Sequence, residues 1–570
     1  MIKLRRILSL ASALPLLLVG CTTAEGPKSA DKAETQAALS AAPLNRIVGT
    51  RRLTETQYRN SIADIFGPDI RVAGRFEPIV RPAHELIASA AASSTISPTG
   101  FEQFDAVGRG IAAQVFGKEH RARFVRCTPR NERQADPDCA AKTLKPIGRY
   151  LFRRPMTAQE IAFYVKLAGD AATPVGSFYD GLATALAIML VSPDFLYVVE
   201  TAEPDPSHPD ELRLDNFARA SRLSFLLWNS TPNEALLQAA EQGRLTDSNE
   251  LAAIAEHMIG SPRFEQGVRA FFSDLLLFEK FDEIAKDPIV YPRFNQEVAQ
   301  ALPEQMLRTI VDHLVNRDGD YRELFTTPRT FMTRSLGPLY GVRVHKPAGW
   351  EPFEFGPQDD RAGLLGQAGF LALYSHSGRS SPTLRGRAIR ELLMCQPVPN
   401  PPGNVNFTAV QDTSNKKMPT ARIRLAAHAT DPVCAGCHKI TDPLGLPLER
   451  FDGIGAFRAT ENETPIDVRG SLDNVSFGGA AGLGRAMATN PSTSQCVALR
   501  ALEYAVGRTS GEDSTLAEAV EKKFAAADYR IRALFLEVAT MPEAYRIKPV
   551  PLLKAPDEVA ASGAASSKGD

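Results

Sequence analysis

The sequence predicts a mainly α protein built of several helical domains, and three observations point there. Apolar residues return with the 3.6-residue period of one helix face in window after window. Capping signatures stand just ahead of those windows. Period-two alternation is scarce, with Ile466 to Arg469 one of few strand candidates. Of 570 residues, 44% are hydrophobic and the formal charge is −1. That balance fits a globular chain and supplies no polycationic surface for nucleic acid.

The elements justify themselves in order. Thr54 with Gln57 forms a capping box and Leu53 with Tyr58 a hydrophobic staple; Ile62, Ile65 and Phe66 extend the face, and Gly67 stops it. Thr157 with Glu160 repeats the box ahead of Ile161, Tyr164, Val165 and Ala168. Ser177 with Asp180 opens a very apolar helix that Pro193 should interrupt near its end. Further helical windows cover residues 215–228, 247–258, 262–277 and 296–315. The Gly-rich run Gly478 to Gly484 reads as a surface loop, and Asp442-Pro443-Leu444-Gly445 as a tight turn. Neither a nucleophile elbow nor a P-loop occurs.

The N-terminus reads as an address. Lys3, Arg5 and Arg6 precede an apolar run, Ile7 to Val19, too short to serve as a stable membrane span. It ends Leu18-Val19-Gly20-Cys21, which resembles a bacterial lipobox. That resemblance implies export, removal of the leader and acylation of Cys21, and two acyl chains give stable anchoring. An ordinary signal peptide is the alternative. Residues 22–45 have the composition of a flexible tether, and 549–570 that of a disordered tail. Between them the chain divides into 46–125, 126–205 (with a disulfide loop), 206–345 and 346–548.

Cys434-Ala435-Gly436-Cys437-His438 carries the chemistry. C-x-x-C-H is the attachment pattern of a c-type haem. Two thiols one helical turn apart can bond the two vinyl groups of one porphyrin, and the adjacent imidazole reaches the iron. Half a zinc site would need a second ligand pair at matching spacing, and none occurs. The expectation is one covalent haem c in residues 346–548, held by Cys434, Cys437 and His438. Arg458 is a candidate partner for a haem propionate. Glu449 and Asp452 read mainly as structural partners of Arg450 and Arg458, with a proton relay as the alternative. The sixth iron position stays open among Met487, His428, another residue such as His376 or Met418, and a vacant site.

Seven cysteines occur in the chain. With Cys21, Cys434 and Cys437 assigned, four are left. In an oxidising compartment Cys127 with Cys139, and by elimination Cys395 with Cys496, form disulfides; free buried thiols are the alternative.

Several blocks resemble a planctomycete-type family of exported, cytochrome-c-like multi-domain proteins whose modules are known as domains of unknown function. They are Arg52-Leu53-Thr54 through Asn60, Phe152-Arg153-Arg154-Pro155 through Glu160, Ser192 to Phe195, and Arg222 to Trp228. Ser381-Pro382 with Arg385-Gly386, Cys434 to Arg458, and Tyr504 to Arg508 complete the set. The resemblance spans residues 45–547 and implies helical domains followed by a C-terminal cytochrome-c-like haem domain. It implies no substrate. Three functions follow as expectations: electron transfer with a partner oxidoreductase, a peroxidase- or oxygenase-like haem enzyme, or a cell-surface binding scaffold with structural haem. The expected place is a bacterial membrane, the outer one first, facing periplasm or cell surface.

Overall fold

The computed structural model describes residues 46–361, 363–400, 412–413, 415–430, 432–509 and 514–547. The leader with Cys21, the tether 22–45 and the tail 549–570 lie outside the described residues. The fold is mainly α. None of its described helices is long and apolar enough to cross a membrane.

Strand β1 (Arg46–Arg52) leads into helix α1 (Glu55–Phe66), whose capping box is formed on both sides and whose chain leaves through Gly67 at φ 100°. A Cβ there would be strained, so the glycine is the stop. Helices α2 (Pro98–Val115), α3 (Pro137–Phe152), α4 (Ala158–Val175) and α5 (Phe178–Leu190) follow. They bury Tyr58, Ile62, Phe104, Ile111, Leu151 and Leu186 in one apolar cluster. Pro193 does not interrupt α5. The helix has already ended, and Ser192 caps a new short turn with the proline at its first position, where no N–H is required.

A second, larger cluster gathers side chains from Leu214 to Tyr545, with Leu86 and Ala202 from the chain before them. Between the clusters runs α6 (Asn216–Trp228), buried from Ala218 to Trp228. The helix is covered on all sides: Phe225 joins the first cluster while Leu223 and Leu226 join the second, and its buried Arg222 is paired with Glu200. Helices α7 (Ser248–Gly260), α8 (Phe264–Leu275) and α9 (Gln296–Val311) occupy the expected windows, α9 ending in a single π-turn over Asp312–Asn316. Helices α10 (Pro382–Ala388), α11 (Ala421–His428) and α12 (Pro432–Gly445) come next. Helix α13 (Gly479–Thr489), α14 (Pro491–Val506), α15 (Ser514–Ala526) and α16 (Ile531–Thr540) close the second cluster.

One four-stranded antiparallel sheet joins the ends of the described chain. β1 pairs with β2 (Tyr197–Asp205), β2 with β3 (His208–Leu214), and β3 with β4 (Arg546–Ile547). The strand expected near Ile466 forms later, at Arg469–Leu472, in a hairpin with Val475–Gly478. Disulfides link Cys127 with Cys139 and Cys395 with Cys496, with Cα separations of 5.7 and 5.2 Å.

Candidate functional site

Helix α12 carries Cys434, Cys437 and His438 within little more than one turn. Cys434 is buried and Cys437 half-buried, and neither belongs to the two disulfides. The Cys437 thiol lies 3.6 Å from the Pro399 carbonyl. His438 Nδ1 lies 2.8 Å from Asp442 Oδ2, one turn along the same helix. Asp442 is itself held, its Oδ1 accepting from Thr383 Oγ1 at 2.9 Å and Thr441 Oγ1 at 3.3 Å. A carboxylate at Nδ1 selects the tautomer with its proton there, which makes Nε2 the lone-pair nitrogen. This is the outer-shell arrangement that metal-binding histidines use. Among the described residues no group of three or more His, Cys, Asp or Glu is arranged to hold a metal ion. A c-type haem asks this chain for one imidazole nitrogen and two thiol sulfurs, and Cys434, Cys437 and His438 fit that demand.

The helix is held from behind by backbone contact. A Cβ on Gly386 of α10 would lie 1.9 Å from the Thr441 carbonyl, and one on Gly445 would lie 1.7 Å from the Pro382 carbonyl. The two helices therefore meet at glycines. This packing corrects the expected turn over Asp442–Gly445: α12 runs through Pro443 and ends at Gly445, and a 3-10 turn over Leu446–Leu448 follows.

Arg385, fully buried on α10, organises that following segment. Its guanidinium donates to the carbonyls of Leu371 (3.2 Å), Leu448 (3.0 Å), Phe451 (2.8 Å) and Asp452 (2.5 Å), and to Glu449 Oε1 at 3.2 Å. Glu449 is buried between Arg385 and Arg458. It also accepts from Ser380 Oγ at 2.8 Å. Arg458 donates to Glu449 Oε2 and to its carbonyl, at 2.9 and 3.0 Å. Burial raises the Glu449 carboxyl above the ordinary range; the two guanidiniums oppose the shift and Glu461 adds to it. The structural role expected of Glu449 toward Arg458 is present. Asp452 instead caps a turn, accepting from the amides of Ile454 and Ala456, and Arg450 faces Asp360 at 3.8 Å.

Met487 is fully buried on α13, which packs on the Tyr321–Phe325 turn and the Val475–Gly478 strand. The His428 side chain lies outside the described residues. His376 is exposed and Met418 half-buried. The Gly-rich run corrects another expectation: most of it is the first turn and a half of α13. A Cβ on Gly484 would meet the Phe325 carbonyl at 2.2 Å, so this glycine serves packing.

Sequence reasoning assigned no role at the site to three residues. Asp442 was legible, because it stands four residues after His438 on a helix. Arg385 and Lys286 were not. Lys286 Nζ donates to Ser375 Oγ at 2.6 Å and to the carbonyls of Ala372 and His376 at 2.8 and 3.1 Å. Burial, then Arg385, pushes this amine down to about 7. Its three acceptors suit an ammonium tying a loop. Elsewhere a cavity of about 740 Å³ opens beside α1 and α8, lined by Phe76, Phe104, Phe278, Asn60, Gln266 and Arg269 among others.

Five family models match the chain, each described as a protein of unknown function. They are DUF1587 over residues 51–117, DUF1595 over 139–200, DUF1592 over 214–342, DUF1588 over 361–461 and DUF1585 over 473–543. The DUF1588 match contains α10, α12, Glu449 and Arg458. No curated protein and no solved structure matches the chain.

Proposed function

The chain belongs to the planctomycete-type, cytochrome-c-like multi-domain family, whose modules it carries in succession, and from that premise we propose a c-type haem protein that transfers single electrons. It is exported, anchored through acylated Cys21 to a bacterial membrane, and exchanges electrons with a partner oxidoreductase. The bound haem supplies one-electron iron chemistry. Cys434 and Cys437 would hold it covalently, and His438 would bind the iron through Nε2. The observation that carries this reading is the contact of His438 Nδ1 with Asp442 at 2.8 Å. Asp442 keeps the proton on Nδ1, orients the ring and raises the basicity of Nε2. Thr383 and Thr441 keep Asp442 in place, and the glycine contacts of α10 and α12 keep the helix rigid. Arg458, partly exposed on its outer side, is the proposed partner of a haem propionate. Met487 is the proposed distal ligand.

The test is expression with a haem-maturation system. Covalent haem should survive denaturing electrophoresis and vanish in the Cys434→Ala, Cys437→Ala double variant. Exported wild-type protein that stays colourless defeats the reading. Met487→Ala should open the distal site to carbon monoxide; rapid carbon monoxide binding by the wild type, with peroxide turnover, would favour an enzyme instead. The 740 Å³ cavity supports a second reading, a binding scaffold. Its size is that of small-molecule sites.

A further inference from the structure

We propose that a small cavity where Arg51, Arg52, Arg222 and Tyr504 meet binds one monovalent inorganic anion of halide size. The cavity measures about 30 Å³, room for one water molecule or one small ion. This inference is independent of the haem reading.

The lining carries buried guanidinium donors that go unmatched. Arg51 Nε and Nη2 and Arg52 Nε are buried and make no hydrogen bond. Arg51 Nη2 comes within 3.2 Å of Glu200 Oε1. That carboxylate is already taken by Arg222, which donates to Oε1 at 2.9 and 2.7 Å and to Oε2 at 2.7 Å. Arg52 is 3% exposed. It gives its outer nitrogens to the carbonyls of Thr95 and Glu77, and Glu77 Oε2 lies 3.4 Å away. Three guanidiniums thus face two carboxylates, Glu200 and Glu77, leaving one positive charge. Burial lowers the pKa of Arg51 and of Arg52, with Glu200 and Glu77 opposing it. Buried donors without acceptors and a buried charge without a counter-charge are both costly. A water would accept from two of these donors and leave the charge. A halide satisfies both.

The position gives the site a role. Arg51 and Arg52 lie in the 51–117 match, Val198 and Glu200 in 139–200, Arg222 and Leu226 in 214–342, and Tyr504 in 473–543. The anion would join four of the five modules, and three of the sequence blocks that carried the resemblance, those at Arg52, Arg222 and Tyr504, converge on it.

The test uses the full chain at constant ionic strength, with gluconate exchanged for chloride or bromide. Tm should rise with halide and saturate, by on the order of a few degrees. Arg51→Gln keeps the Arg222–Glu200 pair but should lose the halide dependence, while its circular dichroism stays that of the wild type. Crystals of the wild type grown in bromide should show an anomalous peak in the cavity, which decides the matter even if the variant fails to fold. Equal Tm in gluconate and chloride, or a cavity in bromide crystals that holds only water, overturns the proposal.

Discussion

Two buried glutamates, each between two arginines, behave in opposite ways. Glu200, beside Arg51 and Arg222, has its carboxyl below the ordinary range: burial alone would raise it, and Arg222 and Arg51 together outweigh that. Glu449, beside Arg385 and Arg458, is raised, because burial wins. The difference lies in how each arginine spends its donors. Arg222 gives Glu200 three short hydrogen bonds. Arg385 spreads its donors over four carbonyls and reaches Glu449 once, at 3.2 Å. Glu461 adds a like charge at the second node. The first node is a charge clamp between modules. The second is a scaffold for the backbone behind the C-x-x-C-H helix, with the carboxylate as a minor partner. An arginine–glutamate pair in a sequence therefore does not say which of the two will dominate.

The contrast can be broken from either side. The largest effect should come from Cys395→Ala with Cys496→Ala, which opens a link spanning 101 residues; a loop of that order is worth about 4–5 kcal/mol in the chain-entropy account. The Cys127–Cys139 link in the first region spans 12 residues and should cost about 3 kcal/mol. Denaturant midpoints of the two double variants give the ordering, and a larger loss at Cys127–Cys139 would reverse it. Between them falls Arg385→Met, expected at roughly 3–5 kcal/mol because it strands several carbonyls and a buried carboxylate. A change below about 1 kcal/mol would show that Arg385 does not organise the segment.

The smallest and most telling effect is in pH. Glu200, with a lowered folded pKa, contributes stability that is present above its ordinary value of 4.5 and is lost as pH falls through the folded value. Glu449, with a raised folded pKa, contributes in the other direction: its share is present below 4.5 and is lost as pH rises through the folded value. Glu200→Gln should therefore flatten the acid limb of a stability–pH curve. Glu449→Gln should instead remove a decline on the side above 4.5. Two variants with slopes of the same sign would show that the nodes are alike after all.

The sequence by itself determined the local chemistry. Thr54 with Gln57 and Thr157 with Glu160 cap their helices because a capping box needs only residues three apart. The helical windows and the grouping of Cys434, Cys437 and His438 on one turn are set over similarly short spans. Only the tertiary structure decided the rest. Gly386 against Thr441, Arg385 against four distant carbonyls, and Arg51 with Arg222 and Tyr504 involve residues far apart in the chain. Such contacts leave no period for a local reading to find. The Gly478–Gly484 run and Asp442–Gly445 were misread as loop and turn for the same reason. At Gly445 and Gly484 a carbonyl of a distant segment lies where a side chain would have been, so these two glycines serve packing rather than a break in the chain.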